Sequence, residues 1–119
     1  MAEYERLQRI VDAQEDSVFL WGARQVGKST LVKTLYPKAK VYDLLMSDEY
    51  GRLMRRPQLL REELEHLGEE SLVIIDEIQK IPQLLDEVHW LIVNRGIRFI
   101  LCGSSARKLK RMGTNLLGG

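Results

Sequence analysis

The chain alternates short apolar runs with amphipathic segments, which predicts strands separated by helices. The apolar runs are rich in β-branched and aromatic residues and predict buried strands at 17–21, 40–44, 71–76 and 97–102. Leucine, isoleucine and valine recur at helical spacing in the segments 2–14, 28–36, 47–67 and 82–95, the third of which is broken at Pro57. We expect Ser47 or Asp48 to cap that third segment and Gly96 to end the last. Strands that alternate with helices predict a parallel sheet with right-handed crossovers, and hence an α/β fold.

Composition and charge favour one compact domain over residues 1–119. The chain is 45% hydrophobic and 29% charged, which is typical of globular proteins, and its net charge of +1 creates no overall attraction to nucleic acid or membrane. Its single cysteine, Cys102, lies in a predicted strand and rules out a disulfide framework. No apolar run approaches the length of about 18 residues that a membrane span needs, and the N-terminus is unlike a signal peptide. We expect a cytoplasmic protein.

Residues 22–29 read GARQVGKS and fit the pattern G-x-x-x-x-G-K-[ST] of phosphate-binding loops. Gly22 and Gly27 allow the backbone to curl so that successive N–H groups point at phosphate oxygens. Lys28 can reach the β- and γ-phosphates, and the hydroxyl of Ser29 can bind Mg²⁺. The predicted nucleotide-binding residues are Gly22, Ala23, Arg24, Gln25, Val26, Gly27, Lys28, Ser29 and Thr30. The expected ligands are ATP or ADP with Mg²⁺.

The segments on either side of this loop support that interpretation. A predicted strand precedes the loop and a predicted helix follows it, and the N-terminus of that helix attracts anions. The alternative is an ordinary glycine turn that contains a lysine by chance. The strand, loop and helix in succession favour the nucleotide site.

A pair of carboxylates follows the third apolar run, in LVIIDEIQ at 72–79. Ligands of open α/β sheets bind at the carboxyl ends of the strands, so Asp76 is placed to hold Mg²⁺. Glu77, one residue later, can accept the proton of an attacking water. The alternative is that both carboxylates cap the helix that begins near Pro82 or lie solvated in a loop.

Two serines follow the fourth apolar run, in RFILCGSS at 98–105. A polar side chain at this edge of the sheet can contact the γ-phosphate and orient the attacking water. Ser104 and Ser105 both qualify, and the sequence does not distinguish them. Ser105 can also be the N-cap of the helix predicted in ARKLKRM.

Taken together, the motifs resemble one bacterial and archaeal group of AAA-type ATPases, which usually carries a C-terminal domain similar to restriction endonucleases. The similarity rests on GARQVGKSTLVKTL, VYDLL, LVIIDEIQKIPQLLDEV, RFILCGSSARKLKR and NLLGG. It implies an ATPase core with 22–30 as the phosphate loop and a sheet of order 1-4-3-2. It also implies that Asp76 and Glu77 are the acidic pair and that Ser104 and Ser105 lie at the γ-phosphate-sensing position.

The resemblance also implies that the chain is the N-terminal part of a longer ATPase. Relatives continue into a fifth strand beside strand one and a region that supplies an arginine to a neighbouring subunit. We therefore expect strand one to be an exposed edge, the chain to self-associate or to contact other domains, and its hydrolysis to be slow.

Two kinds of function fit these features. The first is an ATPase that hydrolyses the β–γ bond to act on an unknown target. The second is a nucleotide-dependent switch whose bound state carries the signal with little turnover. Basic residues at Arg107, Lys108, Lys110 and Arg111 form either a solvated helix face or a contact to DNA or a neighbouring subunit.

Overall fold

The computed structural model describes residues 17–21 and 28–104, with side chains described for 17–21 and 30–104. The helix predicted at 2–14 and the segment after residue 104 lie outside the described residues. The elements in chain order are β1 (Val18–Trp21), α1 (Lys28–Leu35), β2 (Lys40–Asp43), α2 (Ser47–Arg55), α3 (Gln58–Leu64), β3 (Leu72–Asp76), a 3₁₀ turn (Ile78–Lys80), α4 (Leu84–Arg95) and β4 (Arg98–Gly103). Over these residues, every predicted strand and helix is present within three residues of its expected bounds; the largest difference is at the third helical segment, which ends at Leu64 and not at residue 67.

The strands form one parallel sheet in the order β1-β4-β3-β2, as predicted. β3 and β4 are central, whereas β1 and β2 are the edges of the described sheet. Leu20 pairs with Cys102 and Asp43 pairs with Asp76, so all four strands end along one edge. The self-association expected from an exposed β1 edge is not tested by this arrangement and stays a prediction.

Both faces of the sheet are covered, which explains why the strands are apolar throughout rather than alternating. On one face, Val73, Ile75, Phe99 and Leu101 pack with residues of α2, α3 and α4. On the other face, Ile74 and Ile100 pack with Val32 of α1. Cys102 is buried in this second cluster, as its apolar surroundings in the sequence predicted. No helix within the described ranges is both long enough and apolar enough to cross a bilayer.

The helix ends follow the sequence signals with one exception. α2 stops at Arg55 and α3 starts at Gln58, so Pro57 breaks the helix as predicted. Gly96 ends α4 in the left-handed conformation, with φ of 68°. The predicted cap of α2 was wrong, because Met46 occupies the N-cap position and Ser47 and Asp48 lie inside the first turn. There, Asp48 and Glu49 instead complement the positive end of the helix dipole.

A polar network joins β2 to α2 and α3. The hydroxyl of Tyr42 donates to Glu63 Oε1 at 2.9 Å, and Arg52 donates to both Glu63 and Glu49. Burial raises the pKa of Tyr42, and the hydrogen bond to Glu63 raises it further. Burial also raises the pKa of Glu63, but hydrogen bonds from Arg52 and Tyr42 outweigh it and leave that pKa below its usual value.

The depressed pKa of Glu63 makes this part of the fold sensitive to acid. Glu63→Gln is expected to lower the free energy of unfolding at pH 7 by about 1–2 kcal/mol. A group with a depressed folded-state pKa stabilises the fold above its unfolded pKa of 4.5 and loses that effect as the pH falls through the folded value. The unfolding free energies of wild type and variant, measured with urea, should therefore converge as the pH falls below 4.5 and through the lowered pKa of Glu63. Glu62→Gln, at an exposed carboxylate, is the matched control, and a difference independent of pH would contradict the prediction.

Candidate nucleotide-binding site at the carboxyl edge of the sheet

The predicted phosphate loop connects the carboxyl end of β1 to the N-terminus of α1. β1 ends at Trp21 and α1 begins at Lys28, so the strand and the helix that the motif requires are both present. Residues 22–27 of the loop, the side chains of Lys28 and Ser29, and Ser105 lie outside the described residues. Thr30 is exposed in the first turn of α1, where its carbonyl accepts a hydrogen bond from the Thr34 hydroxyl. The geometry of the loop itself therefore stays a prediction.

Asp76 is the last residue of β3 and is only 5% exposed. Its Oδ2 lies 3.5 Å from Lys33 Nζ, and the same ammonium lies 4.0 Å from Asp43 Oδ2 at the end of β2. The parallel register sets the two carboxylates side by side, and Lys33 reaches them from α1. Because Asp76 is buried, it is not a solvated loop residue, and that alternative interpretation is excluded. Asp43 and Lys33 were not identified as site residues from the sequence, although Asp43 lies one residue before the end of the strand predicted at 40–44.

Glu77 follows β3 in a left-handed backbone conformation, with φ of 63° and ψ of 45°. Within the part of the chain that the structure describes, it is the one non-glycine residue with positive φ. This conformation costs a side-chain-bearing residue about 1 kcal/mol, and such residues are concentrated at functional sites. Glu77 is 4% exposed, and α4 has Gln83 at its N-cap, so neither the solvated nor the capping alternative holds.

The side chain of Ser104 reaches Glu77 from the neighbouring strand. Ser104 follows β4 directly, and its Oγ donates to Glu77 Oε1 at 3.1 Å. Ser104 is exposed, so this contact links the buried carboxylate to the surface of the carboxyl edge. The structure thus brings together the ends of β3 and β4 at two of the residues predicted from the sequence.

Gln79 completes the cluster and was missed from the sequence. Its Nε2 donates to Glu77 Oε1 at 2.6 Å and lies 3.4 Å from Ser104 Oγ. Gln79 is 6% exposed, although its amide is polar. The sequence signal that could have identified it is its position two residues after the acidic pair. There it follows the apolar Ile78 in a turn whose residues 78 and 79 are buried.

The comparison with known families agrees with this geometry. A family model described as an AAA domain matches residues 14–119, which is most of the chain. The chain belongs to the AAA domain family. Membership indicates a nucleotide-binding, ATPase-type function, and the four-stranded parallel sheet is consistent with the fold of such P-loop proteins.

The AAA domain packs β4 closely against β1, the strand that precedes the predicted phosphate loop. A Cβ placed on Gly103 would lie 2.3 Å from Trp21 Cζ3 and 2.5 Å from Gln79 Oε1, so only glycine fits without rearrangement. The Trp21 ring stacks on Phe19 with centroids 5.2 Å apart. Because Gly103 has no side chain, Trp21 at the end of β1 and Gln79 beside Glu77 can both pack against it.

Proposed function

We propose that this chain binds ATP with Mg²⁺ and hydrolyses the bond between the β- and γ-phosphates. The observation that carries the proposal is the buried Glu77, held in a left-handed conformation at the end of β3 and hydrogen-bonded to Ser104 at the end of β4. These positions flank the site where an open α/β sheet binds its ligand. Membership of the AAA domain family supports the same chemistry.

In this proposal the residues of the loop, 22–30, bind the phosphates. Backbone N–H groups of the loop and the ammonium of Lys28 neutralise the phosphate oxygens. Ser29 and Asp76 would hold Mg²⁺, which when bound offsets the charge of the β- and γ-phosphates. The carboxylates of Asp43 and Asp76 are the hard oxygen donors that this cation prefers, so the donor set at the edge fits it. Lys33 lies among them and limits the net negative charge there.

Glu77 is the residue that we assign to proton transfer. A carboxylate held at this position can orient a water and accept its proton as the water attacks the γ-phosphate. Ser104 or Ser105 contacts the γ-phosphate, and the hydrogen bond from Ser104 to Glu77 favours Ser104 as the residue that connects the phosphate to the base. We also propose that the ATPase is regulated and acts on an unknown target. An adjoining domain similar to restriction endonucleases belongs to the same proposal.

Isothermal titration calorimetry tests nucleotide binding directly. The folded chain is titrated with Mg-ATP and with Mg-ADP, and saturable heat is expected for both. Lys28→Ala should weaken Mg-ATP binding about 30-fold, because it removes a charge-assisted hydrogen bond to phosphate. Lys38→Ala, at an exposed lysine outside the motif, is the matched control and should bind like wild type. Absence of heat for both nucleotides on folded protein would refute the proposal.

A further inference from the structure

Gln79 places a polar amide in the interior, where its burial lowers the stability of the fold. The side chain is almost fully buried, and its Oε1 has no hydrogen-bond partner within the described ranges. A buried polar atom without a partner destabilises the fold, and a leucine of similar size would avoid that cost. Among the described residues, packing alone therefore does not account for a glutamine at this position, whereas the hydrogen bond that its Nε2 donates to Glu77 does.

The Nε2 group of Gln79 is directed at the carboxylate of Glu77. Nε2 lies 2.6 Å from Glu77 Oε1, so the amide N–H donates directly to the carboxylate. Residues two apart on a regular helix do not face each other. The left-handed conformation of Glu77 followed by the 3₁₀ turn brings these side chains together, so the strained backbone and the hydrogen bond serve the same arrangement.

The same Nε2 lies within 3.4 Å of Ser104 Oγ, which itself donates to Glu77 Oε1. Glu77 Oε1 thus accepts two hydrogen bonds, one from Gln79 in its own chain segment and one from Ser104, the residue after β4. Because a carboxylate held by two donors has a restricted orientation, the pair determines where its remaining lone pairs point. Gly103 supports this arrangement, since a Cβ at residue 103 would lie only 2.5 Å from Gln79 Oε1.

We propose that Gln79 is a positioning residue, which holds the Glu77 carboxylate against Ser104 so that it is correctly oriented toward the attacking water. This role rests on the proposed ATPase function. Gln79 itself does not touch the nucleotide in this proposal and acts through Glu77. A purely structural role in joining β3 to β4 is the competing explanation.

Single-turnover hydrolysis, with the chain in excess over radiolabelled Mg-ATP, separates these explanations. Gln79→Leu should lower the rate about tenfold because the base is less well oriented, while the calorimetric Kd for Mg-ATP stays within about twofold. Its Tm should change little, because the removal of the buried Oε1 offsets the loss of the hydrogen bond to Glu77. Gln83→Leu, at an exposed glutamine on the next turn, is the control and should match wild type in rate.

A second measurement does not depend on turnover. The side-chain NH₂ resonances of Gln79 should be protected from solvent exchange in wild type and lose protection in Glu77→Ala, where the acceptor is gone. A wild-type rate for Gln79→Leu, or a joint loss of rate, affinity and Tm, would overturn the positioning role and leave the ATPase proposal intact. A wild-type chain that neither binds nor hydrolyses ATP would instead refute the proposed function, and the positioning role with it.

Discussion

Glu77→Gln is expected to slow single-turnover ATP hydrolysis about a thousandfold while the Kd for Mg-ATP stays within about twofold. Glutamine has the size and shape of glutamate, and its amide oxygen can still accept hydrogen bonds from Ser104 and Gln79. It cannot accept a proton at neutral pH, so an orienting contact remains while the base is lost. The expected separation of rate from affinity follows from this difference.

The measurement pairs calorimetric binding with quenched single-turnover hydrolysis of labelled ATP. Glu70→Gln removes a carboxylate at an exposed position near the opposite ends of the strands, and it should leave both quantities unchanged. Hydrolysis at the wild-type rate in Glu77→Gln would exclude Glu77 as the base, and Asp43 and Asp76 would become the candidates.

The same variant separates the two classes of function in the cell. A switch that signals in its ATP-bound state would be locked on, whereas an ATPase that depends on turnover would lose function.

Gly103→Ala is expected to lower the free energy of unfolding by about 3 kcal/mol, at the upper end of the range for overpacked interiors. The added Cβ would overlap the Trp21 ring at 2.3 Å and the Gln79 amide at 2.5 Å. Neither the strand nor the ring can move freely, because β4 is hydrogen-bonded on both sides and Trp21 is stacked on Phe19. The strain must therefore be absorbed by the ends of β1 and β3, which also carry the proposed site.

Urea unfolding of wild type and variant measures this effect. Gly68→Ala is the matched control, because a Cβ there would contact no other part of the described chain within 4 Å. The substitution should change stability by less than about 0.5 kcal/mol. Trp21→Leu should make room for the new methyl group, so the double variant should be more stable than the sum of the single effects predicts. Equal stability of Gly103→Ala and wild type would show that the packing around Gly103 is looser than described.

The order and type of the elements could be predicted because they depend on local patterns. Apolar runs bounded by polar residues, Pro57 and Gly96 each act over a few residues, and all were interpreted correctly. The cap of α2 was predicted wrongly because the start of the helix is set by the turn after β2, in which the N–H groups of Leu45 and Met46 donate to Asp43. The strand order came from a family resemblance, which carries tertiary information that periodicity lacks.

Residues of the candidate site could be predicted from the sequence only where the residue type and its position after a strand indicate a chemical role. Asp76 and Glu77 were identified because carboxylates at the end of an apolar strand are unusual, and Ser104 because it follows another such strand. Lys33, Asp43 and Gln79 were not identified because their importance arises from contacts across 43, 33 and 25 positions of sequence, to Asp76 or Ser104. Such contacts depend on the crossovers that bring α1, β2 and β4 beside β3.

The amino-acid sequence by itself determined the α/β class, the positions of the strands and helices, and a P-loop motif that predicts nucleotide binding, because each depends on side-chain patterns over short distances. The tertiary structure alone decided that Glu77 adopts a left-handed backbone, that Gln79 and Ser104 share one of its carboxylate oxygens, and that Lys33 pairs with Asp76. The contacts of Ser104 with Glu77 and of Lys33 with Asp76 arise because elements from distant parts of the chain end side by side, so the topology of the sheet sets them. The contact of Gln79 with Glu77 depends instead on the left-handed turn between these two residues, which the apolar pattern of the sequence did not predict.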